Sequence, residues 1–297
     1  MSHVSVLLHE SIDGLDIEAG DTIIDATLGA GGHSKTIVQK FPNITIVGFD
    51  LDADALKLAK QNIENVGGTL IPVQSNFRDM DSACKAHGIS EVNGVLFDFG
   101  ISSMELGESG RGFSFKYDEP LLMTLQNPIT DDTVTARDVV NGMREKELAD
   151  IIFTYGEESF SRQIASAIVM ARKRKKIETT FELAEIIRNA VPNFYKNGRI
   201  NPATKTFQAL RIYVNDELGA ITEGLEKAWK LLASDGRIVT ITFHSLEDRI
   251  VKNFFKDKSK IDERAQIITK KPIVPTREEI ITNPRSRSAK LRILKKI

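Results

Sequence analysis

Apolar residues in this chain keep two different rhythms. Over the first hundred positions, short apolar runs alternate with amphipathic stretches. Thr22-Ile23-Ile24, Ile44 to Phe49, Thr69 to Gln74 and Val92 to Phe99 predict strands. Their nearly unbroken apolar character fits strands covered on both faces, as in a parallel sheet. Between them, Ser34 to Lys40 and Asp52 to Asn65 predict helices, the second with Leu56, Ala59 and Ile63 on one face and a stop at Gly67-Gly68. Pro72 inside the third run moves that strand toward a sheet edge. The β-α-β-α-β-α-β order is that of a parallel α/β sheet. Met1 to Leu15 reads as an extended segment with a helical turn leading into it.

The second rhythm begins near Gly107. From there to Asn201 no buried strand is predicted, and the pattern is helical: Thr135 to Asn141, Glu145 to Tyr155, Ser159 to Arg174 and Thr180 to Asn189. Gly142, Gly156 and Pro192 separate or end these segments. A long helix from Asn215 to Ala233, the turn Asp235-Gly236 and the apolar run Arg237 to Phe243 return the chain to the sheet pattern. Gln266 to Thr269 and Lys290 to Leu294 predict two closing strands. The domain reading is a discontinuous α/β domain, 1–106 with 208–297, carrying an inserted helical domain, 107–207.

Composition narrows the class. The chain has 297 residues, 41% hydrophobic and 27% charged, which is ordinary for a globular protein with ample core. Its net charge of -1 gives no global field for nucleic acid, so any such contact needs a local patch. The single cysteine, Cys84, leaves no internal disulfide and no cysteine-cluster metal site. No pair of histidines has metal-ligand spacing, so no metal is expected. No apolar run reaches the roughly 20 residues of a membrane span, and the polar start lacks a signal-peptide pattern; a cytoplasmic location is expected.

Chemistry concentrates at the carboxyl ends of the predicted strands, where open α/β sheets bind ligands. After the first strand comes Asp25-Ala26-Thr27-Leu28-Gly29-Ala30-Gly31-Gly32-His33, a glycine turn opening a helix. Such a turn allows positive φ and brings backbone N–H groups to a ligand. The second strand ends at Asp50, about 20 residues beyond the first glycine, where an acid accepts hydrogen bonds from a ribose diol. An acid preceding Gly29-Ala30-Gly31 is closer to a methyltransferase turn than to the dinucleotide GxGxxG. Phe77 offers a face for an adenine, or a core aromatic; Asp98 offers an acceptor for an amine. His244 follows the fifth strand, with Ser245 as the expected helix cap and the imidazole left to face the cleft. Two basic stretches, Arg172 to Lys176 and the six basic residues with no acid between Asn283 and Ile297, are candidate phosphate-binding faces.

With these residues in view, the chain resembles the RsmH (MraW) family of S-adenosylmethionine-dependent rRNA small-subunit methyltransferases. The resemblance is carried by His3-Val4-Ser5-Val6-Leu7-Leu8, Thr27 to Ser34, Asp98-Phe99-Gly100-Ile101-Ser102-Ser103 and Arg111-Gly112-Phe113-Ser114-Phe115. It continues through Tyr155-Gly156-Glu157-Glu158, Thr206 to Ile212, Phe243 to Arg249 and Asn283 to Ser288, collinear over nearly the whole chain. It implies a class I S-adenosyl-L-methionine-dependent methyltransferase fold (Rossmann-like, mostly parallel sheet) with an inserted helical substrate domain. It implies N4-methylation of a cytidine in the decoding centre of 16S rRNA, with the small ribosomal subunit as partner, no membrane, and compatibility with a homodimer. Cofactor contacts map onto Gly31, Gly32, His33, Asp50, Phe77, Asp98 and Glu105; the acceptor for the target amine is Asp98 or His244. Phe113 and Phe115 are the expected base platform or plain core residues, and Arg285 and Arg287 the expected RNA contacts.

Two positions depart from the family pattern. Met104-Glu105 stands where Pro-Gln is usual, and Pro120-Leu121-Leu122-Met123-Thr124-Leu125 where Pro-Leu-Asp-Met-Arg-Met is typical. The missing acid and arginine keep a second reading open, a catalytically weak RNA-binding assembly factor that retains the cofactor pocket. A nicotinamide-dependent oxidoreductase is a third, disfavoured by Gly31-Gly32 and the basic tail.

Overall fold

The computed structural model describes residues 5–101 and 109–297. These residues form two compact units, Met1–Gly100 with Leu218–Ile297, and Ile101–Glu217.

The first unit opens with α1 (Leu8–Leu15), a full two-turn helix where a single turn was expected. Then follow β1 (Thr22–Asp25), α2 (Gly32–Lys40), β2 (Thr45–Asp50), α3 (Ala53–Glu64), β3 (Thr69–Gln74), α4 (Met80–Ala86) and β4 (Val92–Asp98). Each strand lies within a residue or two of its predicted span. Asp52 caps α3 by accepting the N–H groups of Asp54 and Ala55. Phe77–Asp79 is a short 3-10 turn before α4, and Cys84 is buried on α4.

The helical unit holds α5 (Ala136–Gly142), α6 (Glu145–Gly156), α7 (Ser161–Arg172), α8 (Thr180–Ala190), α9 (Asn193–Lys196) and α10 (Ala203–Asn215). Its core gathers Val139, Val140, Leu148, Ile152, Ile164, Ile168, Leu183, Ile187, Phe207 and Leu210. The seams lie at 100/101 and 217/218 instead of 106/107 and 207/208. The physical reason is α10. Ala203, Phe207, Ala209 and Leu210 on its buried face belong to the helical core, so the unit extends past Phe207. Helix α10 itself was not predicted from the periodicity.

The chain returns to the first unit through α11 (Glu217–Leu231), β5 (Leu232–Thr242), α12 (Ser245–Ile261), β6 (Ala265–Ile267), α13 (Arg277–Thr282) and β7 (Lys290–Lys296). The sheet order is β3-β2-β1-β4-β5-β7-β6. Strands β1 to β5 are parallel, and β7 runs antiparallel to both β5 and β6. β3 is the edge strand anticipated from Pro72. One face of the sheet is covered by a cluster around Phe49, Phe97, Leu225 and Phe255, the other by one around Ile12, Ile37, Ile241 and Leu291. Burial on both faces explains the unbroken apolar runs. The order reverses between β1 and β4, the switch point where such sheets bind ligands. No helix of the described residues is long and apolar enough to cross a membrane.

Candidate active site

At the switch point, the turn leaving β1 is clipped to its neighbours through the backbone. Leu28 N–H donates to Phe49 O at 2.9 Å, and Gly29 N–H donates to the Asp50 carboxylate at 2.9 Å. Asp50 also accepts Asp52 N–H at 2.8 Å. Each carboxylate oxygen has a second lone pair, so this bracing leaves Asp50 able to accept from a diol. Gly29 and Gly31 adopt positive φ, 51° and 77°. A side chain on Gly29 would meet nothing within 4 Å, so this part of the turn is open on the side a Cβ would fill. Gly31 is the N-cap of α2 and packs against Ala59, while Gly32 is held close by Ser5, so a Cβ there would collide with the hydroxyl. Gly32 therefore has a packing reason to be glycine.

His33 is buried, with Nε2 3.2 Å from Val6 O and Nδ1 3.8 Å from Asp98 Oδ2. Leu7 N–H donates to Glu279 on α13 at 2.8 Å. Val6 and Leu7 are thus held from both sides beside the turn.

Carboxyl groups accumulate here without a lysine or arginine partner among the described residues. Asp25 is buried, takes a 2.6 Å hydrogen bond from Ser34 Oγ and accepts Thr27 N–H; burial, with a smaller push from Asp50, raises its pKa to about 6. Burial raises that of Asp50 as well. Asp98 at the end of β4 is pushed well above the ordinary carboxyl range by burial, then by the charges of Asp25 and Glu247. Its N–H donates to Thr27 Oγ1 at 2.7 Å, tying β4 to the β1 turn. Its Oδ1 is buried with no hydrogen-bond partner among the described residues. The bonds of Ser34 to Asp25 and of Asp98 to Thr27 were not legible in the sequence, because no local spacing announces a bond across nine or seventy-one positions.

Phe77 is half-buried and meets Phe97 edge-on at 5.5 Å and Phe99 at 6.1 Å, with Gly224 of α11 leaving room for its ring. It is the outer member of an aromatic cluster at the end of β4.

The geometry corrects the expected cap of α12 and part of one basic stretch, and decides between the two roles open to Phe113 and Phe115. His244, not Ser245, is the N-cap of α12: its Nδ1 accepts Glu247 N–H at 3.4 Å, while Glu247 accepts the N–H groups of Phe243 and His244 at 2.7 and 3.2 Å. The imidazole is therefore engaged in a capping box through Nδ1, while its Nε2 lies 3.1 Å from Glu247 Oε1. Phe113 is only 6% exposed within the helical core, and Phe115 packs T-shaped on Phe207 at 5.1 Å; burial takes the role of base platform from Phe113, and packing engages Phe115. Arg172 in the first basic stretch donates to Val140 O and Met143 O, and Lys175 pairs with Glu182, so that run is partly consumed inside the unit. Arg285 and Arg287 sit exposed on a 3-10 turn, Pro284–Ser288, with no ion pair among the described residues. Glu105 lies outside the described residues. Leu122 is half-buried and Thr124 buried, with Thr124 Oγ1 accepting Gln126 N–H, so neither restores the missing acid or arginine.

A glycine cradle at the switch point of a 3-2-1-4-5-7-6 sheet, with an acid at the end of β2, defines a class I S-adenosylmethionine-dependent methyltransferase. Residues 1–297 match the MraW methylase family. The chain is 49% identical over 297 residues to the ribosomal RNA small subunit methyltransferase H of Sulfurihydrogenibium sp., covering 100% of both chains. It is 46% identical over 312 residues to the same-named protein of Carboxydothermus hydrogenoformans, covering 100% of this chain and 98% of that one. The solved structure of an rRNA methylase from Streptococcus thermophilus superposes with a TM-score of 0.46 at 11% identity, covering 100% and 99% of the two chains. The chain belongs to the MraW methylase family, and S-adenosylmethionine is its methyl donor. The residues present fit that donor. A sulfonium cation suits the buried carboxyls of Asp25, Asp50 and Asp98, which have no basic partner among the described residues, and there Asp98 Oδ1 is left to accept a hydrogen bond from a ligand amine.

Proposed function

We propose that this methylase transfers a methyl group to the exocyclic N4 of a cytidine in the decoding centre of 16S rRNA. The observation that supports it most is the buried Asp98 Oδ1 beside the cofactor turn, without a hydrogen-bond partner among the described residues, in a chain whose relatives carry the name of small-subunit rRNA methyltransferases.

S-adenosylmethionine supplies an electrophilic methyl group on sulfur. The protein's part is to hold both reactants and to manage one proton. Asp50 would accept from the ribose hydroxyls, and the open side of Gly29 would receive the rest of the donor. The half-exposed ring of Phe77 would hold the adenine. An exocyclic cytosine amine is a weak nucleophile, because its lone pair is delocalised into the ring. Alignment is therefore the larger contribution, up to about 7–11 kcal/mol of the barrier. As nitrogen attacks it gains positive charge, and an acceptor aimed at its N–H strengthens through the step. Asp98 fills that role better than His244, whose Nδ1 already serves the helix cap. A cation beside Asp98 lowers its raised pKa and restores the carboxylate that the acceptor requires. Arg285 and Arg287 neutralise RNA phosphates.

The test is transfer of radiolabelled methyl from S-adenosylmethionine to small subunits lacking the modification, followed by nucleoside analysis. Label in N4-methylcytidine is expected, with Asp98→Asn slowed by about 10²-fold or more. Label in another nucleoside, or no transfer, overturns the assignment.

A further inference from the structure

Outside the cradle, one surface of the helical unit has no role in the reading above. Between Glu185 and Asp216 the sequence holds five basic residues, Arg188, Lys196, Arg199, Lys205 and Arg211, and no acidic one. Arg211 is neutralised by Glu217 at 2.7 and 2.8 Å, and Lys205 donates to Glu157 O at 2.9 Å. Arg188, Lys196 and Arg199 have no acidic partner among the described residues. In their midst, on α9, Phe194 is 74% exposed, the most exposed aromatic side chain of the described residues.

That ring is not a loose side chain on a loose loop. Its neighbour Tyr195 donates from its hydroxyl to the fully buried Glu158 at 2.5 Å and packs on Phe160 at 4.8 Å. Burial and the Glu158 carboxylate hold the Tyr195 phenol protonated well above its ordinary range, so the donor persists. Phe194 meets Phe160 in a T-shaped contact at 6.2 Å. The segment closes on itself through Lys196 N–H to Pro192 O, Asn197 N–H to Asn193 O and Gly198 N–H to Tyr195 O. A buried anchor thus fixes an aromatic ring in water beside two unpaired cations. A water-exposed phenylalanine costs the free protein apolar hydration, which a stacked base removes.

We propose that Phe194, with Lys196 and Arg199, forms a docking platform for single-stranded RNA, the ring stacking on an unpaired base while the cations bind the flanking phosphates. The inference rests on the rRNA reading and deepens it, adding a recognition site on the helical unit that is separate from the chemistry. Aromatic rings among cations are what sequence-tolerant single-strand binding uses. Local positive charge matches a polyanion in a chain that is otherwise neutral overall.

The experiment measures anisotropy of a labelled single-stranded oligoribonucleotide of about 12 nucleotides, and methyl transfer to unmodified small subunits, with the full chain. Phe194→Ala is expected to weaken strand binding by about 5- to 100-fold and to raise KM for subunits while leaving kcat near the wild-type value. Phe194→Trp restores both. Lys196→Glu with Arg199→Glu flattens the salt slope of strand binding by about 1.4, two phosphate contacts' worth. Because the ring is exposed, the Phe194→Ala protein keeps the wild-type Tm. Strand affinity and KM equal to wild type in Phe194→Ala would overturn the platform. Weaker subunit binding with unchanged strand binding would make the surface a protein contact and overturn it equally. A wild-type protein that methylates no subunit fails the rRNA reading itself, and is seen before any variant is compared.

Discussion

Asp25, Asp50 and Asp98 each end a neighbouring strand of one parallel sheet, and their environments set them apart. Asp50 is braced by two backbone N–H groups, so its geometry is fixed before any ligand arrives. Replacing it with alanine removes that brace together with the diol acceptor; calorimetry is expected to show S-adenosylmethionine bound at least tenfold more weakly. Asp25 has the consequence with a clear pH signature. Its folded-state pKa of about 6 exceeds the ordinary 3.8, so the folded chain holds a proton that the unfolded chain releases. That contribution to stability is fully present below about pH 4 and lost as pH rises through about 6. The whole window amounts to about 3 kcal/mol. The stability difference between wild type and Asp25→Asn, measured in urea without ligand at pH 4 and pH 7, is expected to shift against the wild type by that order. A difference independent of pH would remove the assignment. These environments could not be read from the sequence. Asp25 and Asp50 stood out as strand-end acids, but burial and the absence of counter-cations arise only when β1, β2 and β4 are laid side by side.

At the scale of elements, the strands were the most legible part, because burial on both faces writes itself as unbroken apolar runs. Helix α10 was not, since Thr206 to Ile212 is rich in apolar residues on several sides and shows no clean stripe; its buried face spans six positions of the thirteen-residue helix. The other misreading was at the start of α12. Ser245 is the better cap by type, yet the chain uses His244, because Glu247 three residues on closes the box around the histidine N–H. Glu247 is fully buried and receives two N–H groups, so Glu247→Ala orphans both. The expected loss is about 2–4 kcal/mol in denaturant unfolding. A loss under about 0.5 kcal/mol would place it among ordinary surface substitutions and show that the cap does not hold the β5–α12 junction.

Across the whole molecule, a net charge of -1 conceals a separation of sign. Acids gather at the strand ends around the cofactor turn, while cations with no acidic partner among the described residues stand at Arg285 and Arg287 in one unit and at Lys196 and Arg199 in the other. Double charge reversal of Arg285 and Arg287 is expected to reduce RNA affinity and flatten its salt dependence by about 1.4 for a single strand. An unchanged slope would show that neither guanidinium touches phosphate. The class of fold and the cofactor were legible because the glycine turn and Asp50 sit close together in sequence. The engagement of Phe113, Phe115 and His244 was not, since each depends on partners supplied by packing.

We propose that this chain methylates a cytidine of small-subunit rRNA at N4. The most direct test is mass spectrometry of nucleosides and of nuclease fragments from small-subunit rRNA of cells with and without the protein. An N4-methyl on one decoding-centre cytidine is expected to disappear with the protein and to return with the wild-type chain but not with Asp98→Asn. An identical methylation profile in both strains would contradict it.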